Sequence, residues 1–282
     1  MSSRCLFLGT PDFAIPTLAA IYQHFSDQLI GVVTKPDAPK GRNLQLTPSP
    51  IKTWAMNQSL PIYTPETAKD LERVVMQLNP DLIVIIAFGM ILPKRLTDFF
   101  YCVNVHASLL PKYRGASPLQ SAILAQEAET GITLMHIDQG LDTGNIISQS
   151  KIPITSQDNL EKIHDKLALL GAEMILQFLQ QKNNQAIIPE FPQDHIKASF
   201  CKKISKSDRI VTFLMQPNEF VARVKAFSPY PGAILQLETK QVKILDARVT
   251  TENTIELLQI QPEGKRPMSY PDYLRGNPKG LY

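Results

Sequence analysis

The sequence predicts an α/β protein with a largely parallel β-sheet, followed by a small C-terminal β-barrel. Short apolar runs alternate with helical segments through the first two thirds of the chain, which is typical of strands alternating with helices. The run DLIVIIA at 81–87 is apolar throughout, as expected of a central parallel strand covered on both faces. Residues 232–261 hold three closely spaced strand-like runs, AILQL, QVKIL and TIELLQI, which predict the second, smaller β structure.

The elements of the first domain follow from the same patterns. Its strands are predicted at the apolar runs 4–8, 29–33, 81–87, 101–106 and 131–137. Its helices are predicted at 15–24, 66–78, 118–126 and 158–181. Pro118 suits a first helical turn, and Ser117 with Gln120 predicts a capping box there. This order of elements predicts a Rossmann-like, mostly parallel sheet.

The domain boundaries are predicted from a change in composition. Residues 186–206 contain prolines and clustered lysines, which predict a linker between a first domain at 1–185 and a second at 207–282. Residues 1–195 carry 15 Lys/Arg against 18 Asp/Glu, whereas residues 196–282 carry 14 against 8. This basic C-terminal excess suits a polyanionic partner, and an ordinary solvated surface is the alternative.

The composition excludes several classes of protein. With 282 residues, 44% of them hydrophobic and 20% charged, the chain can bury a sizeable core, and disorder is not expected. No apolar stretch reaches the roughly 18 residues of a membrane span, and the start of the chain does not resemble a signal peptide. Cys5, Cys102 and Cys201 lie far apart without a CxxC pair. We therefore expect a reduced, cytoplasmic protein without disulfides and without a metal site.

Polar side chains follow two of the predicted strands. Asn104 and His106 stand two apart at the carboxyl end of a strand, so both point to the same side. Asp138 and Asp142 lie in a glycine-flanked loop after the next strand. Each could have an ordinary structural role, such as a turn at Asp142. Because ligands of open parallel sheets bind at the carboxyl edge, we nevertheless expect these groups to converge there.

The chain lacks several known catalytic and nucleotide-binding motifs, and their absence limits the reactions that these residues could catalyse. The sequence contains no GxSxG, no HExxH, no GxGxxG and no Walker motif. An asparagine amide can donate to a developing oxyanion, a histidine can do the same or move a proton, and an aspartate can orient the histidine. An α-amine with a pKa of about 8 is partly neutral near pH 7. The residues therefore suit direct acyl transfer to an amine.

Five sequence stretches carry a resemblance to a known family: FLGTPDFAIPTL, AFGMILP, NVHASLLPKYRGASPLQ, TGITLMHIDQGLDTGNI and IQPEGKRPMSYPDYLRG. They resemble the methionyl-tRNA formyltransferase family of folate-dependent formyltransferases over nearly the whole chain. The resemblance implies 10-formyltetrahydrofolate as formyl donor and the α-amino group of methionyl initiator tRNA as acceptor. It also implies a catalytic domain at 1–185 and a tRNA-binding, OB-like β-barrel at 207–282, acting as a monomer in the cytoplasm.

The resemblance also implies roles for individual residues. Asn104 would hold the formyl oxygen as it becomes negative, His106 would assist and move a proton, and Asp142 would pair with His106 and draw the proton from the amine. The implied folate-binding residues are Phe88, Gly89, Met90, Ile91, Leu92, Ser108, Leu109, Leu110, Pro111 and Asp138. The implied tRNA contacts are Lys35, Lys40 and Arg42 in the loop 34–52, and Lys203, Lys206, Arg223, Lys225 and Lys265 in the C-terminal domain.

The C-terminal segment departs from the family pattern. No glycine occurs from 233 to 263, where the family carries a glycine-rich hairpin, so the barrel is expected to be one hairpin short. The sequence therefore leaves the acceptor open. One alternative is an N-formyltransferase acting on an amino sugar nucleotide, and another is a non-catalytic RNA- or folate-binding protein.

Overall fold

A computed structural model describes residues 3–41, 44–237 and 241–281. The chain divides into two compact units, each built from three stretches of sequence. The first unit consists of Met1–Arg114, Gly131–Lys151 and Asp165–Ser199. The second unit consists of Gly115–Thr130, Ile152–His164 and Phe200–Tyr282. The domain boundaries expected at 185 and 207 stay a prediction.

The described residues form the following secondary structure. The strands, in chain order, are β1 Cys5–Gly9, β2 Leu29–Val33, β3 Ala38–Lys40, β4 Gln45–Thr47, β5 Ile62–Tyr63, β6 Leu82–Ile86, β7 Tyr101–His106, β8 Arg114–Gly115, β9 Glu129–His136, β10 Ile146–Pro153, β11 Phe200–Cys201, β12 Ile210–Val211, β13 Ala233–Gln236, β14 Gln241–Val249, β15 Ile255–Pro262 and β16 Met268–Ser269. The helices are α1 Ile15–Phe25, α2 Pro50–Asn57, α3 Ala68–Leu78, α4 Lys94–Phe99, α5 Pro118–Leu124, α6 Leu160–Asn183, α7 Pro217–Phe227 and α8 Tyr270–Gly276.

The main sheet is mostly parallel, in the order β10-β9-β7-β6-β1-β2-β5. Strands β5, β2, β1, β6 and β7 pair parallel to one another in turn. Strand β9 then runs antiparallel to β7. Every residue of β1 and β6 is buried, as their unbroken apolar sequences predicted. The predicted α/β class with a mostly parallel sheet is confirmed.

The starts of α3 and α5 show one local capping pattern that forms and one that does not. Helix α3 begins with a capping box, in which the Thr67 hydroxyl accepts from the Asp70 N–H and the Asp70 carboxylate accepts from the Thr67 N–H. The capping box predicted for α5 is wrong. Ser117 does stand at the N-cap position, but its side chain makes no cap. Its hydroxyl donates instead to the Lys202 carbonyl, so a contact distant in sequence replaces the local one.

The second unit contains a five-stranded sheet in the order β12-β13-β14-β15-β16. Strand β12 pairs parallel to β13, and the remaining pairs are antiparallel. Helix α7 contributes Phe220 and Val224, both fully buried, to the core of this unit. In the described part of this unit, β12 and β16 are the two edge strands, and they do not pair with each other. The C-terminal sheet is therefore confirmed, and its closure into a barrel stays a prediction.

Candidate active site

The histidine and the second aspartate of the sequence-predicted site lie together at the carboxyl end of β7. His106 ends this strand and is 6% exposed, and Asp142 lies in the loop after β9, the antiparallel neighbour of β7. The Nδ1 atom of His106 is 3.6 Å from Oδ2 of Asp142. This separation is longer than that of a normal hydrogen bond.

The other ring nitrogen of His106 fixes the orientation of the imidazole. Nε2 is 3.0 Å from the carbonyl oxygen of Tyr113. A carbonyl only accepts, so Nε2 carries the donated proton in this arrangement. Nδ1 is then the nitrogen that faces the Asp142 carboxylate. A proton arriving at this side of the ring lies between a nitrogen and a carboxylate oxygen.

Asn104 lies two residues before His106 on β7, on the same side of the strand. Its side chain is partly exposed, whereas His106 is buried. Within residues 3–41, 44–237 and 241–281, the Asn104 amide has no hydrogen-bond partner. Its N–H groups are therefore available to an oxygen of a bound substrate.

The loop that carries Asp142 is tightly constrained. Asp142 has a φ of 52°, a left-handed conformation that aspartate tolerates better than most residues. Asp138 braces the loop from inside, because its carboxylate accepts from the Gly140 N–H at 3.0 Å and from the Thr143 hydroxyl at 2.7 Å. These bonds give Asp138 a structural role in the loop, and its predicted contact with folate stays a prediction.

Residues 88–92, predicted to bind folate, follow the carboxyl end of β6. Phe88 is buried in the core, and its carbonyl accepts from the Thr10 hydroxyl at 2.9 Å. Gly89 has a φ of 73°, and Ile91 is 89% exposed. A Cβ on Gly89 would lie 2.9 Å from Nζ of Lys35. The ammonium group of Lys35, predicted to contact tRNA, therefore lies beside the segment predicted to contact folate.

The second predicted folate segment, 108–111, is held mainly through its backbone. Ser108 is fully buried, and its hydroxyl donates to the Lys112 carbonyl at 2.6 Å. The Thr133 hydroxyl donates to the Ser108 carbonyl at 2.6 Å and accepts from the Leu110 N–H at 3.1 Å. The Gln149 amide donates to the Leu110 carbonyl at 2.8 Å. Because the Ser108 side chain is enclosed, the partly exposed side chains in this segment are those of Leu109 and Pro111.

The predicted basic loop 34–52 contains a hairpin of β3 and β4. Lys40 on β3 is exposed, and it pairs in register with Gln45. At the base of the hairpin, Nζ of Lys52 is 2.7 Å from the Asp37 carboxylate. Arg42, predicted to be the most important tRNA contact, lies outside the described residues.

The predicted tRNA contacts of the second unit fall into two groups. Three are exposed lysines: Lys203, Lys206 and Lys265. The other two make structural contacts. Arg223 donates to the Ile210 carbonyl at 3.1 Å and pairs with Glu219 at 3.2 Å. Lys225 donates to the Ser156 carbonyl at 2.5 Å, and burial lowers the pKa of its ammonium group. Only the first group presents unconstrained positive charge to a polyanion.

Other possible sites in the described residues are few. These residues contain no group of three or more His, Cys, Asp or Glu that could hold a metal ion. No helix among them has the length and apolarity needed to cross a membrane. A surface cavity of about 570 Å³ lies in the second unit, lined by Phe213, Met215, Gln216, Pro217, Thr254 and Ile255. None of its lining residues belongs to the predicted folate site, so the strand-end geometry and not this cavity carries the site assignment.

Two residues that the sequence analysis did not assign support the Asp142 loop. Arg114 is 2% exposed, and Gln193 is 5% exposed. The guanidinium group of Arg114 donates to Gln193, whose amide donates to the carbonyls of Asp142 and Gly144. Arg114 stands in a quoted motif, but nothing in its sequence indicated that it is buried. Gln193 falls in the predicted linker, where no pattern indicated a role.

Comparison with known proteins identifies the family. Residues 3–179 match the family described as formyl transferase. Residues 203–255 match the family described as formyl transferase, C-terminal domain. A methionyl-tRNA formyltransferase of Geobacter metallireducens is 36% identical over 96% of this chain and 94% of its own. The chain belongs to the methionyl-tRNA formyltransferase family. Family membership makes it a formyl-transfer enzyme.

Solved structures of the wider family share the fold. The methionyl-tRNA formyltransferase of Clostridium thermocellum is similar with a TM-score of 0.62 and 15% identity, over 94% of this chain and 98% of its own. An N-formyltransferase of Helicobacter canadensis, solved with folinic acid and dTDP-3-aminofucose, has a TM-score of 0.71 and 22% identity, over 95% and 98%. These likenesses show that tRNA and sugar enzymes of the family have a common architecture.

Proposed function

We propose that this protein transfers the formyl group of 10-formyltetrahydrofolate to the α-amino group of methionyl initiator tRNA. The 36% identity to a methionyl-tRNA formyltransferase over nearly the whole chain supports the choice of acceptor. The observation that carries the chemistry is the pair of His106 and Asp142, 3.6 Å apart, at the same strand end as the unpaired Asn104 amide. We further propose that it works as a monomer in the cytoplasm, where translation takes place.

The proposed reaction forms a bond from the amine nitrogen to the formyl carbon and breaks the bond from that carbon to N10 of the folate. Asn104 donates a hydrogen bond to the formyl oxygen while this atom carries negative charge. Asp142 and Nδ1 of His106 receive the proton that the attacking amine loses. A proton then goes to N10 as the folate leaves. No covalent enzyme intermediate is needed, because the amine itself is the nucleophile.

The distribution of charge also supports the tRNA as acceptor. Residues 196–282 carry 14 Lys/Arg against 8 Asp/Glu, and Lys203, Lys206 and Lys265 are exposed. We propose that these lysines and Lys40 contact phosphates of the tRNA, because such contacts give affinity and orientation. We propose that residues 1–185 form the catalytic domain and residues 207–282 the tRNA-binding domain, with Arg42 contacting the acceptor end.

The proposal is tested by measuring formyl transfer from 10-formyltetrahydrofolate to charged initiator tRNA, with amino sugar nucleotides assayed alongside. We expect transfer to the tRNA and steep loss of tRNA binding as salt rises. Transfer to the sugar nucleotide alone would overturn the acceptor assignment. Binding of folate without any turnover would overturn the enzymatic function.

The role of Asn104 has its own test. Asn104→Ala is expected to lower kcat by about 10²–10³-fold, the usual loss when one oxyanion donor is removed. The matched control is Asn184→Ala, the same substitution at an exposed residue after α6, which should leave kcat unchanged. Wild-type turnover by folded Asn104→Ala would remove this residue from the mechanism.

A further inference from the structure

The separation of His106 and Asp142 is set by a closed ring of contacts. His106 Nε2 donates to the Tyr113 carbonyl at 3.0 Å, and Tyr113 is bonded covalently to Arg114. Arg114 Nε and Nη2 donate to Oε1 of Gln193 at 3.0 and 2.6 Å. Gln193 Nε2 donates to the Asp142 carbonyl at 2.9 Å. The Asp142 carboxylate closes the ring at His106 Nδ1. His106 is thus held by Tyr113, and Asp142 is held through Gln193 by Arg114, the next residue in the chain after Tyr113.

The side-chain amide of Gln193 can take only one orientation in this ring. Its oxygen accepts two N–H groups from the guanidinium, and its nitrogen donates to the carbonyls of Asp142 and of Gly144, the latter at 2.8 Å. A rotated amide would direct N–H groups at the guanidinium and an oxygen at two carbonyls, and both arrangements are repulsive. The donors and acceptors of the amide are all used, and the side chain is 5% exposed. The group is therefore fixed in place.

The loop that Gln193 holds is constrained from two sides. Asp142 adopts a left-handed φ of 52°, which aspartate tolerates at a modest cost, and neighbouring contacts help to hold it there. Asp138 constrains the loop from inside through Gly140 and Thr143. Gln193 constrains it from outside, on either side of Thr143, through the carbonyls of Asp142 and Gly144.

We propose that Gln193 is a positioning residue for formyl transfer, which holds the Asp142 carboxylate at the distance from His106 that proton removal requires. This inference rests on the proposed function, in which Asp142 and His106 take the proton of the attacking amine. Gln193 touches neither substrate in this proposal. Its effect passes through the backbone of the Asp142 loop, so its removal acts on kcat and not on substrate binding.

The decisive variant is Gln193→Glu. A carboxylate keeps both acceptor bonds to Arg114 and adds a charge pair, but it has no N–H group for the carbonyls of Asp142 and Gly144. We expect kcat to fall by about 10–100-fold, the range caused by misplacing a reacting group by up to 1 Å. The KM values for both substrates should change little. The control is Gln181→Glu, the same substitution at an exposed position of α6, which should behave as wild type.

A second variant and a double variant complete the test. Gln193→Met is neutral and similar in length, carries the same prediction, and serves if the extra carboxylate prevents folding. Asp142→Asn keeps the left-handed backbone and removes the carboxylate. If Gln193 acts through Asp142, the double variant Asp142→Asn with Gln193→Glu should be no slower than Asp142→Asn alone. A residue with only a structural role would lower the melting temperature and leave kcat per folded molecule unchanged.

The outcomes separate this inference from the proposed function. Wild-type kcat in Gln193→Glu, together with a slow Asp142→Asn, overturns the inference and leaves the function in place. The inference is also overturned if the kcat of the double variant is below that of Asp142→Asn by the same factor by which the kcat of Gln193→Glu is below that of wild type. Wild-type kcat in Asp142→Asn instead refutes the proton-removing role of Asp142 in the proposed function.

Discussion

Replacing Gly144 by alanine is expected to displace the turn that carries Asp142. A Cβ on Gly144 would lie 1.8 Å from the carbonyl oxygen of His136 and 2.8 Å from its carbonyl carbon, whereas ordinary contact begins at about 3.4 Å, so the chain has to move by roughly 1.6 Å. Both contacted atoms are backbone atoms and cannot rotate away. The base of the loop is also closed by a hydrogen bond from the His136 N–H to the Asn145 carbonyl. The displacement therefore passes into the loop and reaches Asp142 two residues earlier.

The expected loss follows from this displacement. A shift of about 1 Å in a reacting group costs about 10²-fold in rate, so we expect Gly144→Ala to lower kcat by at least that factor. Overpacking of this kind costs about 1–3 kcal/mol of stability, which urea unfolding measures. The control is Gly276→Ala, because a Cβ there meets no atom within 4 Å. A folded Gly144→Ala variant with wild-type kcat would refute the reasoning that the loop fixes Asp142 for catalysis.

Three further predictions concern other parts of the molecule. Burial raises the pKa of Cys5 and of Cys102 to about 12, so both thiols should resist alkylation at pH 8 until the protein unfolds, as peptide mass spectrometry would show. Arg209→Ala should cost about 2 kcal/mol in urea unfolding, because its guanidinium donates to two backbone carbonyls of the second unit. The Thr67 hydroxyl lowers the pKa of Asp70 from its ordinary value, so the destabilisation by Asp70→Asn should be present at pH 6 and shrink as the pH falls through the lowered pKa.

Much of the fold could be predicted from the sequence because its strands are short, continuous and apolar. The predicted strand 29–33 is β2 and the predicted strand 101–106 is β7, with the same bounds. These runs are buried in the main sheet, and burial on both faces leaves a strong hydrophobic signal. The cap of α5 could not be predicted, because Ser117 bonds to a carbonyl 85 residues away. No local pattern can show a partner at that distance.

The candidate site was partly predictable for a related physical reason. Side chains at i and i+2 of a strand share one side, so the placement of Asn104 and His106 followed from parity alone. Their relation to Asp142 did not follow from strand direction, because β9 runs antiparallel to β7 and ends beside Val103. The loop after β9 therefore has to fold back to bring Asp142 to His106, and periodicity gives no sign of such a loop path. Gln193 was out of reach, because its role comes from burial between Arg114 and the Asp142 loop. A polar residue in an irregular segment carries no periodic signal.

The discontinuous second unit has a consequence for synthesis on the ribosome. Helix α5 packs against α7, and the segment 152–164 bonds to the same helix through the Ser156 carbonyl. Helix α5 ends at Leu124, roughly a hundred residues before the end of α7 at Phe227. At about 5–20 residues per second, the nascent α5 therefore waits roughly 5–20 s for the helix against which it will be buried. During that interval its apolar surface is a natural target for chaperones.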